Sequence, residues 1–209
     1  MSEPVEDLEN IAAKLRPYFT AEDEARERTL RSCRQVIRHS ADAIRAVHRQ
    51  DHDKAKQLLD SAHELLREIN HDLAGHGKLL YSDFIHDAQK EFAEGCITLA
   101  LIAGKDLPEP KTLGVSNAAY LDGLGESVGE LRRYILDSLR RDDFSRCEEL
   151  LIIMDEIYAI LITMDFPELL AHGLSRTTDA VRGIIERTRG DLTVSLRQKD
   201  LETKLNNLS

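Results

Sequence analysis

Apolar residues recur at spacings of three and four along almost the whole chain, and strict two-residue alternation occurs nowhere. That period belongs to helix faces rather than to strands. The spacing predicts a first helix over about 5–17 and a long second one over about 20–50, opened by Thr20, whose hydroxyl is placed to accept from the Asp23 amide. A third helix runs from about Asp51 to Ala74 and stops at Gly75-His76-Gly77. A fourth covers about 79–104, ahead of Pro108 and Pro110, and Ser116 opens a fifth that reaches about 140. Asp142 or Asp143 opens a sixth to about 164, and Pro167 starts a short segment to Gly173. Stretches over about 174–189 and 191–207 complete the chain. No repeat or low-complexity linker interrupts this series. The expectation is all-α: a single domain over residues 1–209, built as a bundle of about seven long helices.

Three faces refine that picture. In the second predicted helix, Leu30, Cys33, Ile37, Ile44 and Val47 form an apolar seam. Arg31, Arg34, Arg38, Arg45 and Arg49 repeat its spacing one residue later, a rotation of about 100° onto one flank. In the fourth, Ile85, Ala88, Phe92, Cys96, Leu99 and Ala103 form the main seam, with Glu91 and Glu94 opposite it. Ile97 and Leu101 then continue the acidic side, so the far end of that helix is apolar all round and expected to be buried on both sides. In the fifth, Leu121, Leu124, Val128, Leu131, Ile135 and Leu139 form the seam, with Glu126 and Glu130 opposite. Gly123, Gly125 and Gly129 each cost that helix about 1 kcal/mol against Ala, and small residues there admit a second backbone or a substrate.

Charge changes the reading of these faces. The chain of 209 residues carries a formal charge of −10, which argues against indiscriminate nucleic-acid binding over its whole surface. Residues 26–49 nevertheless hold seven arginines against Glu27 and Asp42, a local charge of +5. A basic stripe in an acidic chain points to an anionic partner, most simply the phosphates of a nucleic acid. The alternative is a solvated face whose arginines pair with the excess carboxylates. The acidic pairs carry two readings as well. Glu91/Glu94 and Glu126/Glu130 each share a helix face, and four such carboxylates brought together bind a hard divalent cation with positions left for water and a phosphate. The same spacing also suits two solvated faces.

Other chemistry is less developed. Glu68-Ile69-Asn70-His71 is a Glu-x-x-His, the unit from which di-iron bundles are made, but such bundles need two, and Asp60-Ser61-Ala62-His63 and Asp83-Phe84-Ile85-His86 carry Asp in that place. No nucleophile triad and no glycine-rich phosphate loop is recognisable. Cys33, Cys96 and Cys147 are widely spaced, which reads as reduced, buried thiols and a cytoplasmic setting. The N-terminus has no signal-peptide pattern, and the longest apolar run is too short to span a bilayer, so no membrane is expected.

Taken together the motifs resemble the translin superfamily from about residue 20 to the C-terminus. Glu24-Ala-Arg-Glu-Arg, Ser32-Cys-Arg34-Gln-Val-Ile and Ala43-Ile-Arg-Ala-Val-His48-Arg49 resemble its first long helix. Gln89-Lys90-Glu91-Phe92-Ala93-Glu94-Gly95 resembles the Gln-Glu-aromatic-x-Glu-small pattern of its catalytic branch, translin-associated factor X. Tyr120-Leu-Asp-Gly-Leu-Gly-Glu126-Ser-Val-Gly-Glu130-Leu resembles the signature Tyr-Leu-x-Gly-x-x-Asp-Leu-x-Gly-Glu-Leu.

The resemblance implies a seven-helix bundle assembled into a hollow homo-oligomer, an octamer, and, with a short 104–116 loop, a prokaryotic, archaeal version. It implies a Mg²⁺-dependent endoribonuclease cutting single-stranded or partly unwound RNA, with ssDNA a further candidate strand. Glu91, Glu94, Glu126 and Glu130 are then the catalytic set. Glu91, Glu94 and Glu126 bind Mg²⁺, with Mn²⁺ as a substitute, and Glu130 is a further ligand or a support. Arg31, Arg34, Arg38 and Lys90 hold phosphates. Glutamate at 126 replaces the family's aspartate and moves the carboxylate out by one methylene, and Lys90 separates Gln89 from the first glutamate. The alternatives are a non-catalytic RNA- or ssDNA-binding scaffold of the translin type and, from another class, a di-iron bundle.

Overall fold

The apolar spacing resolves into seven helices among the described residues of the computed structural model, which are 3–73, 79, 82–164, 166–167 and 173–207. They are α1 (Glu3–His48), α2 (His52–Asp72), α3 (Asp83–Ile102), the four-residue α4 (Pro110–Leu113), α5 (Asn117–Leu139), α6 (Cys147–Thr163) and α7 (Leu174–Asn206). No strand occurs among these residues.

The first two predicted helices are one. α1 runs 46 residues straight through Pro17, and Thr20 lies inside it rather than at a cap. Proline removes one backbone donor, but the helix formers on either side carry the helix across that gap. Its buried residues begin at Ala25; before that point Leu8, Ile11, Leu15, Tyr18 and Phe19 are exposed. The last two predicted stretches also fuse, into the 33-residue α7, because Gly190 sits between two anchored turns. Arg189 on one side grips both oxygens of Asp155 at 2.7 and 2.8 Å, and Asp191 on the other accepts from Arg132 at 2.8 Å. Those contacts offset the helix cost of one glycine.

Caps set the other boundaries. Asp51 accepts from the Lys54 amide at 3.1 Å and starts α2, and Ser116 accepts from the Ala119 amide at 3.2 Å and starts α5, both as the sequence predicts. α6 begins at Cys147, later than expected. Asp143 instead ties a turn by accepting from the Ser145 amide and hydroxyl at 3.0 and 2.7 Å. The predicted stop at Gly75-His76-Gly77 lies outside the described residues, as does most of the segment from Pro167 to Gly173.

α1 packs on α2 and α3, while α5 packs on α3, α6 and α7. α3 therefore joins two groups of helices, and it is buried nearly all round, from Ile85 and Ala88 through Phe92, Ala93, Glu94 and Gly95 to Ile102. Its seam with α5 holds the chemistry described next. Among the described residues no helix is long and apolar enough to cross a membrane.

Candidate metal centre

α3 and α5 lie side by side with their polar positions in register. His86 Nε2 meets Asp122 Oδ2 at 2.9 Å, and one turn on Lys90 Nζ meets Glu126 Oε1 at 2.8 Å. Both pairs advance in the same direction, so the helices run parallel here, and the 103–116 connection carries the chain back. Gly123 makes the close approach possible: a Cβ there would stand 2.7 Å from the Lys90 carbonyl oxygen and 2.9 Å from the Glu94 amide nitrogen. Gly125 does the same for α7, since a Cβ would fall 2.3 Å from Thr177 Cγ2. Gly129 meets nothing within 4 Å.

The faces expected to turn away from the bundle thus meet each other within one chain. Glu91, Glu94 and Glu126 each place one carboxylate oxygen within 4.8 Å of the other two. Glu94 is buried, and among the described residues its carboxylate has no hydrogen-bond or ion-pair partner. Burial, followed by the negative charges of Glu126, Glu91 and Glu130, pushes its carboxyl up to about 8. Burial also raises Glu91 above the usual carboxylate range, with Lys90 opposing and Glu126 and Asp87 adding to the shift. Lys90 sits 3.7 Å from Glu91 as well as against Glu126. Burial pulls its ammonium down, but the hydrogen bond to Glu126 and the charges of Glu126, Glu91 and Asp87 outweigh that and hold it above its ordinary value.

Glu130 stands beside this triangle rather than in it. His48 Nε2, from the end of α1, holds Glu130 Oε2 at 2.5 Å, and Arg133 lies 3.7 Å from the same oxygen. The His48 side chain is 4% exposed and its Nδ1 is buried without a hydrogen bond. Nε2 is therefore placed as the donor to Glu130, since an N–H on Nδ1 would go unsatisfied.

The donor set suits a hard divalent cation. Oxygen ligands at about 2.1 Å in an octahedron lie about 3.0 Å apart in cis and 4.2 Å in trans, so small side-chain rotations close the observed spread onto one ion. The buried, unpartnered Glu94 supplies what such an ion satisfies. An open cleft of about 440 Å³ adjoins the triangle, lined by Glu94, Glu126, Gly125, Thr177, Val181 and Arg176.

Several sequence expectations change here. The Lys90 ammonium is engaged by Glu126 and Glu91. Arg31, Arg34 and Arg38 are exposed and make no ion pair among the described residues, whereas Arg26, Arg28 and Arg45 pair with Glu27, Glu24 and Asp42. α1 passes the triangle near Ser40, whose carbonyl oxygen would stand 3.7 Å from a Cβ on Gly95, and the exposed arginines 31, 34 and 38 lie on α1 before that point. Arg176, on the first turn of α7, borders the cleft, and sequence reasoning missed it. It also missed the His48–Glu130 and His86–Asp122 pairs. The signal was present as matching steps of four, His86-Lys90-Glu94 on α3 and Asp122-Glu126-Glu130 on α5. The di-iron reading loses its histidine: His71 is on the exposed end of α2, and among the described residues no histidine joins the three glutamates. Burial lifts the thiols of Cys33 and Cys96 to about 11 and about 12, which removes both as thiolate nucleophiles.

The chain matches no protein-family model. An uncharacterized protein of Methanocaldococcus jannaschii is 28% identical over 190 residues, covering 90% of this chain and 84% of that protein. The crystal structure of AfC3PO is similar with a TM-score of 0.81 and 31% identity, over 90% of this chain and 97% of that one. The structure of an AfC3PO–duplex RNA complex gives 0.78 and 30% over the same shares. Apo-NeC3PO, at 17% identity and a TM-score of 0.79 over 88% of this chain and 96% of that one, shares the fold alone.

Proposed function

Since the chain belongs to the translin superfamily, we propose that it acts on RNA as a metal-dependent endoribonuclease. Glu94 carries this reading: a buried carboxylate without a partner among the described residues, within reach of two others, is stable as an anion only beside a cation. Glu91, Glu94 and Glu126 would hold Mg²⁺ or Mn²⁺. A divalent ion bound there supplies neutralisation of the scissile phosphate's charge and a water of lowered pKa. The extra methylene of Glu126 is accommodated by its position, since its oxygen already reaches the other two.

The remaining residues position rather than react. His48 fixes the rotamer of Glu130 and keeps a fourth negative charge beside Glu94, which favours a cation in the triangle. Arg176 borders the cleft and would hold the phosphate next to the one being cut. Arg31, Arg34 and Arg38 would hold flanking phosphates, giving salt-dependent binding with little sequence preference. RNA as the partner class is supported by the duplex RNA in the AfC3PO complex, at 30% identity. A hollow homo-oligomer, with short or single-stranded RNA admitted, is supported by the apolar residues left exposed on α1 and by Ile152 and Ile160 on α6, which one chain alone does not cover.

The test is cleavage of an end-labelled single-stranded RNA in Mg²⁺ by the wild type, Glu91→Gln and Glu126→Gln. The variants are expected to lose at least about 100-fold in rate. Equal rates in all three overturn the assignment. The Lys90–Glu126 ion pair, which fills part of the triangle, favours a second reading, a non-catalytic RNA-binding scaffold. RNA binding by the wild type without Mg²⁺-dependent turnover selects it.

A further inference from the structure

The Lys90 ammonium occupies ground that a divalent ion would need. It bonds Glu126 Oε1 at 2.8 Å and lies 3.7 Å from Glu91 Oε1, so it takes up two of the three carboxylates of the triangle. Its side chain is 19% exposed, and the close approach of α3 to α5 at Gly123 leaves it lying along the seam. Nothing else among the described residues brings a cation to Glu126. The acidic cluster is thus compensated from within, by a residue whose four-carbon stem can swing the charge away from Glu126 toward the cleft that Glu126 borders. An ammonium bonded to these carboxylates and an incoming divalent ion repel each other at that range, so the two compete for the same oxygens.

We propose that Lys90 is an exchangeable counter-cation: it and a divalent ion take turns on Glu126 and Glu91, so metal binding releases its ammonium into the cleft, where it holds a nucleic-acid phosphate. This rests on the metal reading above and adds a coupling to it. The metal-free chain presents a weak phosphate site, and the loaded chain a strong one. Three carboxylates with one divalent ion keep a charge of −1, and the freed ammonium balances it before a phosphate arrives.

Two readouts that do not depend on cleavage test this. Mn²⁺ affinity is measured by electron paramagnetic resonance of the free ion for wild type, Lys90→Gln and Lys90→Arg. Lys90→Gln is expected to bind about tenfold more tightly, and Lys90→Arg to stay near wild type. In the wild type, acetylation of Lys90 by acetic anhydride, followed by peptide mass spectrometry, is expected to rise several-fold when Mn²⁺ saturates the site. Equal Mn²⁺ affinities for wild type and Lys90→Gln, or unchanged acetylation, overturn the exchange while leaving the metal reading intact. No Mn²⁺ binding by any of the three proteins removes the metal reading, and the exchange with it.

Discussion

Along α1, Arg31, Arg34 and Arg38 stand exposed with no carboxylate partner among the described residues. Across the α3–α5 seam, by contrast, the acids are buried or half-buried and crowd one another, with Lys90, His48 and His86 drawn in against them. The two regions carry opposite charge and handle it in opposite ways. The exposed flank keeps its cations hydrated, so each contact with a passing polyanion is modest and screened by salt. The seam concentrates negative charge where water is scarce, so a small, hard cation gains there what it cannot gain at the surface. A chain that only needed to bind RNA would need the first region and not the second.

The largest effect that separates them is at the triangle. Glu126→Gln keeps the shape of the side chain and removes a ligand charge. Mn²⁺ affinity, followed by titration calorimetry, is expected to fall at least about 100-fold, while binding of RNA in EDTA stays within about twofold of wild type. A variant that loses RNA binding in EDTA to the same degree as metal binding would show that the two regions are one site.

The seam should also show itself in stability without any ligand. The folded chain holds the Glu94 proton up to about pH 8, whereas a free glutamate releases its own near 4.5. The folded state therefore binds more protons than the unfolded one between those values, and stability falls as pH rises through that window. In EDTA the melting temperature is expected to drop between pH 5 and pH 8 by an amount reflecting a few kcal/mol, and Glu94→Gln to flatten that drop. Saturating Mn²⁺ reverses the sign, because metal binding displaces the proton and strengthens as pH rises. An unchanged pH profile in Glu94→Gln would mean that the carboxylate is better solvated than its burial indicates.

A smaller effect is expected at His48, which belongs to α1 yet serves the seam. His48→Ala leaves the Glu130 carboxylate without its His48 donor and opens a gap behind it. Urea denaturation should show a loss of about 1 kcal/mol, the usual net size of one intramolecular hydrogen bond, since Arg133 stays beside Glu130. His48→Gln, which keeps an N–H donor, should recover part of it. Equal losses in both would assign His48 to packing alone.

The sequence made these regions legible to different degrees. Helix content, the start near Asp51, the Ser116 cap and the candidate glutamates follow from period, capping chemistry and motif resemblance, all of which are local along the chain. The breaks at Pro17 and Gly190 were misjudged, since a local cost of a few kcal/mol at most is overridden when the flanking turns are strong helix formers or are anchored to other helices. The orientation of Glu91 and Glu94 was misjudged for another reason. A helix packed on both sides has no solvent face, and which neighbour covers the acidic side depends on α5 lying parallel to α3, a relation set by the tertiary fold. The Lys90–Glu126 pair was not visible, because the partner lies 36 residues away in the chain.

The smallest expected effect lies on the exposed flank, and it decides whether that flank belongs to the reaction. Arg34→Ala with Arg38→Ala removes two exposed side chains of α1. Neither carries an ion pair among the described residues, so the double variant should keep the wild-type melting temperature. RNA affinity should fall several-fold at low salt, and the slope of log affinity against log salt should shrink by about 0.7 for each phosphate of a single strand that the variant no longer neutralises. The turnover rate at saturating RNA should not change, because interactions made equally before and during cleavage alter binding and not the chemical step. A change in slope without a change in turnover places the arginines on the strand and away from the triangle, whereas a matching fall in turnover would require the strand to bend α1's flank and the seam into a single surface.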